Sequence, residues 1–389
     1  MSEFFFVPGR TELGGNHTDH QGGCVLGAGV SLGMTAAARR TDTDLIRINS
    51  EGFGSFELEL GDFDPRPEEA GSPMALIRGV CGSFIESGNV FGGFDADISS
   101  EIPAGSGLSS SAAFEVLIGK IISGLYFGNT VPPLRLAQFG QRAENEFFGK
   151  PCGLLDQLVC ALGGVVFANF ADPENPEFRR VDFDFSKTGY RLGIIDCGAG
   201  HQNLTGDYAK IALDMGLVAQ SLGHERLCEA EEAEFLAQFP ILRDKFGERP
   251  VFRALHFFDE TRRAREEAEA LDREDFSEFL RLFRESAESS ENYLKNIVSE
   301  NEPNRLLEKC IRRAREILGG SAAVRVHGGG FAGTAQAFVP AETAGRFAAE
   351  MESSGFRCFF PDIVEKLYEI PRPNGRGIFP FKAIITNAP

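Results

Sequence analysis

The chain of 389 residues has no tryptophan, 5 tyrosines and 6 histidines, and its 8 cysteines form no CxxC pair or tight cluster. A disulfide scaffold and a cysteine-based zinc site are therefore excluded. Thiols at positions 24, 81, 152, 160, 197, 228, 310 and 358 are those expected of a cytoplasmic protein with reduced, mostly buried cysteines. Basic residues are outnumbered 39 to 57, for a formal charge of −18. Long-range repulsion of a polyanion excludes nucleic acid as the expected partner, whereas a small anion held by local backbone N–H groups stays available. No run of about 18 uncharged apolar residues occurs, so no membrane partner is expected. The opening MSEFFFVPGR lacks the basic segment of a signal peptide. HExxH, GxSxG, the kinase HRD and DFG pair and a lysine-containing Walker A loop are also missing.

What is present is an ordinary globular composition, 42% hydrophobic and 25% charged, long enough for two lobes. Residues 1–100 read as β-rich with glycine punctuation, with strands within 25–35, 44–49 and 56–60. From 108 the apolar spacing turns helical, and serines at the front of that segment are placed to cap it. Further helices are expected over 133–148 and from 154, then a strand over 163–170. An apolar run at 190–197 opens the second half. Residues 208–318 read as amphipathic helices, 321–326 and 336–339 as strands around a glycine cluster, 341–353 as a helix and 379–386 as a last strand. The sum is an α+β chain with lobes 1–185 and 186–389, its boundary unmarked by any linker.

Three segments concentrate chemistry. In IPAGSGLSSSAAF (102–114) a glycine-serine loop runs into a helix. Gly105 and Gly107 admit close approach of an anion, and free N–H groups with the positive helix end point at whatever sits there. Ser109, Ser110 and Ser111 add hydroxyls for phosphate oxygens or a hard cation such as Mg²⁺. In PGRTELGGNHTDHQGG (8–23) short polar groups crowd a glycine-rich turn, which suits a hydroxyl-rich ligand. His17, Asp19 and His20 are conceivable metal ligands, but adjacent ligands on one loop make a transition-metal site improbable. In AENEFFGKPCGLLDQL (143–158) Asp156 falls in the first turn of a helix, a common place for an acidic residue without any catalytic part. A GxGxxG at 328–333 is followed by strand, so a tight turn is expected there and not a dinucleotide fold.

Jointly the segments resemble the galactokinase family, within the superfamily of galactokinase, homoserine, mevalonate and phosphomevalonate kinases. GRTELGGNHTDHQGG is similar to the family signature GRxNxIGEHxDYxxG, PAGSGLSSSA to its ATP loop, ENEFFGKPCGLLDQ to ENxFVGxxCGIMDQ, and VHGGGFAG to MTGAGFGG. The matches run in family order from residue 8 to 333. The resemblance implies a two-lobed small-molecule kinase fold with the active site between lobes, and ATP-dependent phosphorylation of the C1 hydroxyl of galactose. It implies Asp156 at that hydroxyl as proton acceptor or orienter, with Arg10 beside it stabilising charge at Asp156 and on the transferred phosphoryl group. It further implies sugar contacts from Asn16, His17, Asp19, Gly153 and Tyr208. Gly105, Ser106, Gly107, Leu108, Ser109, Ser110, Ser111 and Ala112 would cradle the ATP phosphates, and Ser111 with Glu144 would hold Mg²⁺. Sugar and ATP are then the partners, and the oligomeric state is not fixed, a monomer being compatible. The departures lie at the sugar-facing edge: Asn16 replaces Glu, His20 replaces Tyr, Gly329 replaces Ala, and the paired arginines of YNxRR are lost in Tyr208-Ala-Lys-Ile-Ala. They leave open a kinase for galacturonate, arabinose or an amino sugar, or a non-catalytic sugar and ATP sensor.

Overall fold

The computed structural model describes residues 2–364 apart from 53, 104, 199–203 and 300; the strand expected over 379–386 lies outside the described residues. One long strand organises it. β2 (Cys24–Arg40) pairs antiparallel with β1 (Glu3–Gly14), β5 (Phe94–Ser100) and β6 (Val165–Asn169). With β3 (Leu45–Ser50), β4 (Gly54–Glu59) and β7 (Glu177–Val181) they form a sheet of order β4-β3-β5-β2-β6-β7, with β1 on β2. Only β3 and β5 run parallel, and the crossover this demands contains α1 (Pro73–Glu86). α2 (Ser110–Phe127), α3 (Pro133–Arg142) and α4 (Leu155–Leu162) pack together, α2 and α4 against β1 and β2. α2 is long and apolar enough to cross a membrane by length and composition. Here it is buried among these elements, which is why it is apolar around most of its circumference.

The second sheet, β11-β8-β10-β9, comprises β8 (Tyr190–Asp196), β9 (Ala323–His327), β10 (Thr334–Pro340) and β11 (Arg357–Phe359). α9 (Leu306–Leu318) and α10 (Ala344–Ser353) cover one of its faces. Between β8 and α9 the chain forms α5 (Thr205–Ser221), α6 (Glu232–Phe246), α7 (Glu248–Asp272) and α8 (Phe276–Ser289). α7 lies on β1 and β2 while α8 lies on β9, so this helix pair joins the sheets. His327 joins them again: one ring nitrogen meets Thr11 Oγ1 of β1 at 3.0 Å and the other meets Thr334 Oγ1 of β10 at 2.9 Å.

The helices expected from residue 108 onward form close to where periodicity puts them. Two expectations for the first hundred residues need correction. α1 stands in the region read as β-rich, although Ser72 as N-cap and Pro73 in the first turn are ordinary helix-start chemistry. Residues 8–14 belong to β1, paired with β2 through register shifts at Pro8/Gly9 and Glu12/Gly14, and only the following segment turns.

One hydrophobic cluster runs from the first sheet through α8 to Phe338 of β10. The Phe338 ring sits 5.2–5.6 Å from those of Phe276, Phe279 and Phe283. Phe338→Ala is expected to cost about 3–5 kcal/mol and lower the thermal midpoint followed by circular dichroism; a loss under about 1 kcal/mol contradicts a shared core.

Candidate active site

β1 delivers Arg10. Its backbone N–H donates to Leu108 O (3.1 Å), which ties the strand to the glycine-serine loop. The guanidinium then makes three bonds: Nε to Asp156 Oδ1 and Nη2 to Asp156 Oδ2, both at 2.6 Å, and Nη1 to Gly107 O at 2.7 Å. This is the bidentate fork that arginine offers a carboxylate, extended by one bond to the loop. Ser109 Oγ donates to Asp156 Oδ2 as well. Burial would push the Asp156 carboxyl upward, but Arg10 and Ser109 outweigh it and hold the group below its ordinary value. Asp156 is therefore ionised at neutral pH, and with a third of its side chain open it is reachable from the cleft.

The loop is shaped by its positive-φ residues. Gly107 has φ +69°, and a Cβ there would come within 2.6 Å of Thr334 Oγ1. Ser109, at φ +56°, makes no side-chain cap on α2, contrary to the capping expected of these serines, because its hydroxyl is turned to Asp156. The first turn of α2 thus keeps its N–H groups uncapped by Ser109, with the positive end of the helix beside them. Leu108 and Ala112 are wholly buried, so only their main chains are available to a ligand. Gly105 stands in open space, and the buried Ser106 hydroxyl has no partner among the described residues. Next to Ser110 and Ser111 opens an apolar cavity of about 370 Å³ lined by Met34, Leu76, Phe114 and Phe148.

Glu144 sits in a π-helical turn, Ala143–Phe148, that extends α3. Its Oε1 accepts from Ser111 Oγ at 3.2 Å and Lys150 Nζ at 2.8 Å, and its Oε2 from Gln157 Nε2 at 2.9 Å. Ser111 and Glu144 thus present two oxygen donors side by side at the head of α2. That suits Mg²⁺, which takes one or two protein oxygens and completes its shell with phosphates and water. No group of three or more His, Cys, Asp or Glu side chains that would hold a metal occurs among the described residues.

The polar turn after β1 faces the same place. His17 adopts φ +59° and donates from Nε2 to Gly329 O at 2.9 Å; burial pushes its pKa down to about 4, so it is neutral. The Tyr208 ring stacks on His17 at 6.5 Å, and its hydroxyl donates to Gly330 O at 3.2 Å. A Cβ at Gly329 would lie 2.5 Å from that ring, so glycine in place of the family's alanine gives the tyrosine its seat. A Cβ at Gly153 would sit 1.9 Å from Asp19 Oδ2, so the carboxylate rests directly on that backbone. Burial and then the nearby charge of Asp156 raise Asp19 to about 6. His20, driven down to about 3 by burial and His17, has two buried ring nitrogens without a partner among the described residues.

Asn16 departs from its expected place. It is wholly buried. Its Nδ2 donates to Glu12 Oε1 at 2.9 Å and to Gly328 O at 2.8 Å, while its Oδ1 accepts from Asn296 Nδ2 at 2.9 Å. Glu12 in turn pairs with Arg325. The amide is thus spent inside the protein, where it anchors the glycine turn from below and does not face the cleft.

Sequence reasoning passed over four residues. Glu260 accepts from the backbone N–H groups of Gly15 and Asn16 at 3.3 and 3.4 Å, and His256 Nε2 donates to Asn16 O at 2.8 Å; both stand on α7, which reads only as an amphipathic helix. Lys150 falls on an unspecified position of ENxFVGxxCGIMDQ, and Glu12 stands where GRxNxIGEHxDYxxG has Asn.

Comparison with known proteins places these features in a family. Residues 75–164 match "GHMP kinases N terminal domain" and residues 2–40 match "Galactokinase galactose-binding signature". The galactokinase of Glaesserella parasuis is 30% identical over 354 residues, covering 87% of this chain and 85% of that protein. The galactokinase of Staphylococcus carnosus is 31% identical, with 86% and 84% covered. Among solved structures, Lactococcus lactis galactokinase complexed with galactose superposes with a TM-score of 0.80 at 25% identity over 94% of each chain. Methanococcus jannaschii mevalonate kinase shares the fold, with a TM-score of 0.67 at 17% identity over 94% of this chain and 99% of that one. With the Arg10–Asp156 pair bound to the loop before the uncapped end of α2, and with relatives matched over most of its length, the chain belongs to the galactokinase family.

Proposed function

We propose that this protein transfers the terminal phosphoryl group of ATP to the C1 hydroxyl of galactose, giving α-D-galactose 1-phosphate and ADP. The observation that carries the reading is the Arg10 fork, which ties Asp156 to the carbonyl of Gly107 at the head of α2. It sets a carboxylate that accepts a hydroxyl proton next to a helix end that accepts a phosphate. The galactose complex of the Lactococcus lactis relative supports the choice of sugar.

In this reading the triphosphate lies along Gly105–Ala112 with its base in the apolar cavity beside Ser110 and Ser111. His17, Asp19, Gly153 and Tyr208 hold the sugar so that its C1 oxygen meets Asp156. Ser111 and Glu144 hold Mg²⁺, which when bound supplies positive charge to the phosphate oxygens. The new bond forms between the C1 oxygen and the terminal phosphorus, and the bond from that phosphorus to the bridging oxygen of ADP breaks. The hydroxyl proton passes to an Asp156 oxygen and then to water. Because Arg10 keeps Asp156 acidic, the carboxylate works mainly by orienting the hydroxyl, which a loose phosphoryl transition state tolerates since its nucleophile needs little deprotonation.

A coupled ADP-release assay over a panel of sugars tests the assignment, and absence of turnover with galactose contradicts it. Asp156→Ala is expected to lower kcat by at least about 10²-fold while calorimetric ATP binding is retained; equal loss of ATP affinity would make Asp156 structural. Gly153→Ala displaces the Asp19 carboxylate. Its galactose KM should rise roughly 10- to 100-fold, the worth of one hydrogen bond to a charged group, while an unchanged KM removes Asp19 from the sugar pocket. Asp19 must be ionised to accept a sugar hydroxyl, and its raised pKa means protonation sets in early on acidification. The galactose KM should accordingly climb as pH falls through about 6 while the ATP KM holds, and a flat galactose KM down to pH 5 contradicts this.

A further inference from the structure

We propose that Lys150 is a catalytic cation of this site, its ammonium moving from Glu144 onto the oxygens of the phosphoryl group in transfer. The inference deepens the kinase reading above and rests on it. The backbone around Lys150 is fixed: its own N–H donates to Glu144 O at 3.0 Å, and the Cys152 N–H donates to Asn145 Oδ1 at 2.7 Å. The side chain is not fixed in the same way. It is 60% exposed, whereas that of Glu144 is 3% exposed. An ammonium carries three donors, and the structure records one partner for this one among the described residues, Glu144 Oε1 at 2.8 Å.

That oxygen is also the one that accepts from Ser111, so Lys150 occupies the edge of the pair of donors suited to Mg²⁺. With Ser111 and Glu144 holding Mg²⁺, Glu144 would have the positive charge that Lys150 now provides, and the ammonium would be free to leave it. The anion next within its reach is a terminal phosphate at the head of α2. The electrostatics agree with that placement, since the charge of Lys150 is felt both by Asp156 and by Tyr208, on the phosphate and sugar sides of the cleft.

The neighbouring cations are committed elsewhere. Arg10 spends three of its five N–H donors on Asp156 and Gly107, which holds the guanidinium in place, and Lys210, within the segment that lacks the family's paired arginines, is bound to Asp207 at 3.2 Å. Phosphoryl transfer depends on neutralising charge spread over the oxygens of the moving group, and Lys150 has donors left for it. It forms no covalent bond; it donates hydrogen bonds to non-bridging oxygens while phosphorus passes from ADP to the C1 oxygen.

The test compares the full-length parent with Lys150→Met and Lys150→Arg, by calorimetry with ADP and with a non-hydrolysable ATP analogue in Mg²⁺, and by initial rates with galactose. Lys150→Met should bind ADP as the parent does, bind the triphosphate analogue about 10-fold more weakly, and turn over roughly 10²-fold more slowly at unchanged galactose KM; Lys150→Arg should restore most of each. Lys150→Gln, which keeps a donor for Glu144, decides the same question should the methionine variant melt early. Affinities for analogue and ADP that both match the parent, or that fall by one common factor, overturn the proposal. If the parent itself leaves galactose untouched, the functional reading fails, and the comparison of analogue with ADP still decides the role of Lys150.

Discussion

The fork from Arg10 to Asp156 is the contact on which the rest of the site depends. The guanidinium is buried while a third of the Asp156 side chain is open, so loss of the carboxylate would leave a buried cation uncompensated. Here the pair also fixes three separate pieces of chain: β1, the start of α4 and, through Gly107 O, the loop before α2. The geometry of the phosphate loop and the ionisation of Asp156 are set by the same side chain, so neither can shift without the other.

Around that fork the cleft divides electrostatically. In the proposed reading, a helix end, Ser111, Glu144 and Lys150 on the phosphate side receive negative charge and a cation together. On the sugar side His17 is kept neutral by burial and Asp19 is raised toward neutrality by burial and by Asp156. Uncharged or weakly charged donors and acceptors suit hydroxyl recognition, because a hydroxyl both gives and takes a hydrogen bond. The overall charge of −18 does not oppose ATP binding, since the groups that meet the phosphates act at contact distance, within the Debye length.

Much of this was legible in the sequence because the site is built from short contiguous segments. The glycine-serine loop entering an apolar helix is legible from local chemistry alone, and the helices after residue 108 announce themselves by period. The pairing of Arg10 with Asp156, 146 residues apart, was legible only through the order of motifs that the chain shares with its relatives. What stayed hidden was tertiary. Asn16 is given as a sugar contact by the resemblance, yet neighbouring Glu12 and the distant Asn296 and Gly328 claim its amide. Ser109 read as a cap because serine caps helices, but the ionised carboxylate of Asp156 is the stronger acceptor and took the hydroxyl. Glu260 and His256 brace the sugar turn from a helix whose spacing shows only amphipathicity.

A crystal structure of the full chain with galactose, Mg²⁺ and a non-hydrolysable ATP analogue tests the central claim most directly. The account predicts the terminal phosphate within hydrogen-bond distance of the first-turn N–H groups of α2 and the C1 hydroxyl against Asp156, with the Arg10 fork unchanged. A triphosphate bound away from that helix end, or a sugar whose C1 oxygen lies beyond contact with Asp156, would contradict it.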